Sequence, residues 1–237
     1  MYLWLGIKRQ SLHNFPTLTI RTTTLMSKRF TLAFWLLSLI YLVFMNAMPS
    51  ALAVVSKAAP ILLLLVPVWS MLAGKLRIGM VIAIIFSAGG DIFLALDGVA
   101  GDFFVPGLGS FLIAQVTYAV LFWQRTAFNN RQRWWLAVLY IPVVAVLAWF
   151  ILPASGELMI PVTAYLLAIS AMVLGAAFCQ RPWQWLFLGA STFAISDSLI
   201  AINKFLYPLP YASLMIMVTY YLAQYMIVSG ILKPETK

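Results

Sequence analysis

RIGMVIAIIFSAGGDIFLALD, residues 77–97, is apolar on every helical face over the length needed to cross about 30 Å of hydrocarbon. Its ends carry Arg77 and Asp97, and a second carboxylate, Asp91, lies inside it. A stretch this long without alternation reads as a transmembrane helix, and an aspartate is the kind of residue that such a helix normally excludes.

Composition extends that reading to the whole chain. Of 237 residues, 64% are hydrophobic and 9% charged, and the mean hydropathy is +0.98, values of a polytopic membrane protein and not of a soluble domain. Cys179 and His13 are the sole cysteine and histidine. They exclude a disulfide framework and are too few for a zinc or iron site built from Cys and His, so no metal and no cofactor are expected. Chemistry must rest on carboxylates, lysines, hydroxyls and amides.

Windows of about 20 residues predict an all-α, polytopic transmembrane helix bundle of eight spans, near 31–48, 51–72, 77–97, 103–123, 134–152, 159–179, 183–203 and 210–232. The breaks hold turn formers or charge: NAMPS, AGKLR, DGVAGD, QRTAFNNRQR, LPASGE, CQRPW and YPLP. With eight spans, Lys28, Arg29, Lys75, Arg77, Arg125, Arg131, Arg133, Arg181, Lys233 and Lys237 all fall on one side. Asp97, Asp102 and Glu157 fall on the other, with Lys204 the one basic residue at that edge. The positive-inside rule then places both termini in the cytoplasm, as for a multi-pass protein of a bacterial inner membrane. The net charge of +9 is this topology signal plus an attraction to anionic membrane lipid, and calls for no nucleic-acid partner. Residues 1–27, which include His13, read as an N-terminal extension that is interfacial or the product of an over-long start, with Met26 as the alternative. Residues 28–237 read as a single transmembrane domain. Nothing in the sequence specifies an oligomeric state.

Ionisable groups inside a span cost on the order of 3 kcal/mol and so usually face the bundle interior. Lys57, Asp91 and Asp197 are the three that stand out. At about 1.5 Å per residue from the non-cytoplasmic loops they lie at similar depths, roughly 9–12 Å in. A Lys–Asp ion pair that only holds helices together leaves the second aspartate unexplained. Ser87 and Ala88 share the face of Asp91, and Ala190, Phe193, Ala194 and Lys204 that of Asp197. These faces are rich in small residues, which suits close packing. Gln115 and Gln224 lie nearer mid-bilayer beside Tyr118, Tyr220 and Tyr221, either as interhelical hydrogen bonds or as part of a site. GGDIFLAL followed by AQVTYAV is faintly echoed by ISDSLIAI followed by VTYYLAQ, four helices later and in the same orientation.

SKAAPILLLL, SAGGDIFLAL, GLGSFLIAQVTYAVLF, GASTFAISDSLIAINKF and YYLAQYMIVSG come in the order and at about the spacing of the YhhN-like family of multispanning proteins, which includes the lysoplasmalogenases. The resemblance covers most of residues 51 to 232. One departure is Gln115, where many members carry a histidine. The resemblance implies hydrolysis of the vinyl-ether bond of a lysophospholipid substrate, giving a fatty aldehyde and a glycerophospho-alcohol. Such a bond is broken by protonation of its β-carbon and capture of the resulting oxocarbenium ion by water, which needs an acid and an anion together. Asp91 and Asp197 are the expected catalytic pair. Lys57 is expected to pair with the ionised member or meet the lipid phosphate, Lys204 to meet the head group, and Gln115, Tyr118, Tyr221 and Gln224 to hold the ether oxygen or water. Two alternatives stand beside this reading: a proton-coupled transporter or exporter, and a noncatalytic lipid-binding protein. The off-centre depth of the charges favours a bond near the head group over a midplane transport site.

Overall fold

A computed structural model describes residues 27–126, 133–180 and 182–233; most of the expected N-terminal extension, His13 included, lies outside them, as do Arg131, Arg181 and Lys237. Nine α-helices are present among the described residues: α1 (Lys28–Phe44), α2 (Ser50–Leu63), α3 (Leu65–Met71), α4 (Gly74–Ala100), α5 (Phe104–Trp123), α6 (Trp134–Ala154), α7 (Met159–Phe178), α8 (Trp183–Ala201) and α9 (Ala212–Leu232). α2 and α3 form one span, Ser50–Met71, broken at Leu64. The break has a local cause: Pro67 has no N–H to give to the carbonyl of Leu63, and the Leu64 amide turns back to Ile61 at 3.0 Å. Seven helical segments are long and apolar enough to cross a membrane. With α1, whose 17 residues meet the lower end of the spanning range, they occupy the eight expected places.

The outside of the bundle is apolar. Trp149 and Ile160 are each 78% exposed, an arrangement that only a lipid solvent tolerates over so many helices. The protein is therefore an integral, multi-pass membrane protein. α9 is central, with half of its spanning window buried, whereas α6 is peripheral, with 17% buried. The two most extensive helix contacts, α8 with α9 and α4 with α5, are those of the two aspartate-bearing helices with the helices that follow them. Glycine makes both contacts possible. A Cβ on Gly90 would lie 2.5 Å from the Phe111 ring, and one on Gly189 would lie 2.9 Å from the Ile227 amide nitrogen.

The chain connections pair up at the basic end. The Gln180 amide donates to the Arg125 carbonyl at 2.8 Å, and Arg133 Nη1 reaches the Cys179 carbonyl at 3.0 Å. At the opposite end Asp97 Oδ1 accepts the amides of Phe103 and Phe104, both at 3.0 Å. A carboxylate on α4 thereby satisfies amides left open at the start of α5 and fixes the α4–α5 turn.

Candidate active site

The buried polar side chains form three neighbouring groups rather than one. In the first, Asp91 on α4 is 2% exposed and is held deep because Gly89 and Gly90 bring α4 against Ser110 and Phe111. Asp91 Oδ2 and Tyr220 Oη are both buried, and the two groups lie close enough to interact without forming a well-aligned hydrogen bond. Lys57 on α2 acts on Asp91 through space. Tyr221 Oη donates to the Lys57 carbonyl oxygen at 2.8 Å, tying α9 to α2 at this depth.

The second group surrounds Asp197 on α8. Its Oδ2 accepts Gln115 Nε2 from α5 and Tyr165 Oη from α7, each at 2.6 Å. Two donors on one oxygen, from two other helices, fix the plane of the carboxyl and leave Oδ1 without a protein donor. Gln115 Oε1 is buried and unpartnered. The third group runs between α5, α9 and α4: Tyr118 Oη donates to Gln224 Oε1, and Gln224 Nε2 donates to Ser87 Oγ, both at 2.9 Å. Ser87 precedes Asp91 by one turn, so this chain braces the helix that carries it.

No hydrogen bond joins the two aspartates, and Tyr220, packed edge-to-face on Phe111 and Phe193, lies in the same core. Their access differs. Asp197 lines an apolar groove of about 350 Å³ between α6, α7 and α8, and a second cavity of about 50 Å³ on the side of Phe104 and Phe205. Asp91 lines neither.

Of the other expected site residues, Gln115 meets Asp197 and Lys57 and Tyr221 lie near Asp91, whereas Tyr118 and Gln224 bond to each other and to Ser87 and not to a carboxyl. Lys204 is elsewhere. Residues Ile202–Leu206 form a π-helical turn after α8, and Lys204 Nζ lies 3.6 Å from Asp97 Oδ2 and over the Phe104 ring at 4.6 Å. An unbroken α-helix would have kept Lys204 on the face of Asp197. Tyr165 carries no charge and sits in an apolar run, so its one sequence signal is its depth on α7, about as far from the LPASGE turn as the carboxylates lie from theirs.

The YhhN family model matches residues 52–231. The Lysoplasmalogenase of Mycobacterium tuberculosis is 39% identical over 138 residues, 56% of this chain and 52% of that protein. Lysoplasmalogenase TMEM86A of Homo sapiens is 33% identical over 156 residues, 62% of each chain. Lysoplasmalogenase TMEM86B of Rattus norvegicus is 27% identical over 233 residues, 98% of this chain and 94% of that one. The chain spans about half the length of the mycobacterial relatives that it matches. No solved structure matches it. Because the family match runs from α2 to α9 and takes in both aspartates, the chain belongs to the YhhN family.

Proposed function

We propose that this protein is a membrane-embedded hydrolase that cleaves the vinyl-ether bond of lysoplasmalogens, with both termini in the cytoplasm and Asp197 as the group that meets the reacting bond. The observation that carries this reading is the Asp197 carboxyl, oriented by Gln115 and Tyr165, in the wall of a groove otherwise almost wholly apolar. A single-chain lipid needs that combination. Relatives named lysoplasmalogenase support it.

In this mechanism the protonated carboxyl of Asp197 gives its proton to the vinyl β-carbon; the C–H bond forms as the C=C π bond breaks, leaving an oxocarbenium ion. Water adds to the α-carbon and returns a proton to the carboxylate. The hemiacetal then breaks its C–O bond, its hydroxyl proton passing to the departing oxygen, to give the fatty aldehyde and the glycerophospho-alcohol. Asp91, enclosed behind Tyr220, supplies negative charge across a low-dielectric core to the developing cation. Lys57 sets the charge of Asp91, and the open acceptor of Gln115, Oε1, holds the attacking water. The test is aldehyde release from lysoplasmalogen by folded Asp91→Asn and Asp197→Asn variants. Loss of at least a hundredfold in Asp197→Asn is expected, and a near wild-type rate there would remove it from the mechanism.

A further inference from the structure

The proposed chemistry uses one end of the groove, yet the cavity continues well past Asp197. On α8 its wall is a stripe at helical spacing, Ser198, Ala194, Ser191 and Phe187, facing a matching stripe of α6 from Ile151 back to Trp135. α6 packs on α7 and meets the π-helical turn after α8 but has no comparable contact with α8 itself, so a slot remains between them. The far end is closed. There Leu136 and Ala137 of α6 pack with Ala177 and Phe178 of α7, and Phe187 of α8 joins them. The slot is therefore blind at Phe187, carries its carboxyl near the other end, and has a rim turned to the bilayer, where Leu139 is 61% and Ile195 54% exposed.

Its depth sets a length. From Asp197 to Phe187 is about 15 Å along α8 at 1.5 Å per residue. An extended hydrocarbon chain, with bonds of about 1.5 Å at near-tetrahedral angles, advances roughly 1.25 Å per carbon, so about 12 carbons fit beyond the reacting double bond.

Resting on the reading of the site as a hydrolase of single-chain lipids, we propose that this slot is the hydrocarbon-chain subsite, entered sideways from the bilayer between α6 and α8, with Phe187 as the floor that sets chain length at about 14 carbons. The head group then lies towards Ala201 and Val162, and the chain runs towards Trp135. Ser191 is the control point. It lies about 9 Å from Asp197 along the stripe, and its small side chain keeps the slot open there.

The test uses the full-length protein in nanodiscs, with saturated lysophosphatidylcholines of 8 to 20 carbons as binding probes, read by thermal stabilisation, and alkenyl lysolipids of the same lengths as substrates. In the wild type, stabilisation should rise to about 14 carbons and then level off. Ser191→Trp should move that break to about 8–10 carbons and lower kcat/KM for the 14-carbon substrate at least tenfold relative to the 8-carbon one. Phe187→Ala should move the break to longer chains, and it carries the test if Ser191→Trp does not fold. Leu188→Trp, one residue from the floor but 52% exposed and outside the slot, should leave the profile unchanged. An unchanged break in folded Ser191→Trp, or in Phe187→Ala if that variant carries the test, overturns the proposal, as does a shift in Leu188→Trp equal to that in Ser191→Trp. If the break behaves as expected but no length yields aldehyde, the chain subsite stands and the hydrolase reading fails.

Discussion

Tyr165 donates its hydroxyl to Asp197 Oδ2 at 2.6 Å, across the interface of α7 and α8 and at the edge of the apolar groove. Gln115 reaches the same oxygen from α5, so three helices meet on one atom. A carboxyl gripped in this way cannot swing with its rotamers, and its free oxygen points where the other two are not.

Tyr165→Phe removes one of the two donors and changes little else in shape. As Asp197 gives up its proton, its Oδ2 becomes a charged acceptor; a hydrogen bond to such an acceptor is worth about 1.5–3 kcal/mol, and each 1.4 kcal/mol is tenfold in rate. The expected result is a 10- to 100-fold fall in kcat for aldehyde release, with KM and melting temperature nearly unchanged. A rise in KM alone would assign Tyr165 to substrate binding instead.

Glycine substitutions should separate close helix contacts from open ones. In Gly189→Ala the new methyl meets backbone atoms, the Ile227 nitrogen at 2.9 Å and the Ala223 oxygen at 3.1 Å, which cannot step aside. A loss of about 1–3 kcal/mol is expected in reversible unfolding from detergent micelles. Gly109→Ala, with nothing within 4 Å of the added carbon, should be neutral or stabilising by up to about 1 kcal/mol, through helix propensity.

The Tyr118–Gln224–Ser87 chain should show coupling and not simple addition. A double-mutant cycle of Tyr118→Phe and Gln224→Leu, followed by the same unfolding measurement, is expected to give an interaction of about 0.6 kcal/mol and at most about 1.7, the mean and upper value for hydrogen bonds between membrane helices. Strict additivity would mean that the two side chains do not bond.

At the α4–α5 turn, Asp97 matters more than its ionic partner. Asp97→Ala leaves the Phe103 and Phe104 amides without their acceptor and should cost about 0.5–2 kcal/mol. Lys204, 45% exposed and 3.6 Å from Asp97, is a half-solvated pair worth about 0–1 kcal/mol. Lys204→Met should therefore leave both stability and aldehyde release close to wild type. A large rise in KM would return Lys204 to the head-group role that its spacing from Asp197 suggests.

What the sequence determined by itself was the set of spans and the identity of the costly residues within them. Hydropathy is a property of one helix in one solvent, so the eight segments and the shared depth of Lys57, Asp91 and Asp197 were readable without knowing any neighbour. The small residues on the faces of both aspartates were readable for the same reason, since the size of a side chain is a local fact. Only the tertiary structure decided which donors meet which carboxylate. Tyr165 looks like any aromatic in an apolar run until α7 is rotated against α8, and Lys204 looks like a partner of Asp197 until a single π-helical turn carries it to Asp97. The groove is likewise no property of α6, α7 or α8 alone: it exists because α6 meets the other helices around Leu136 and Phe187 at one end and the π-helical turn at the other, and stands off α8 in between. Rotation and spacing of helices are settled by side-chain contacts between segments far apart in the chain, and a single sequence does not state those contacts.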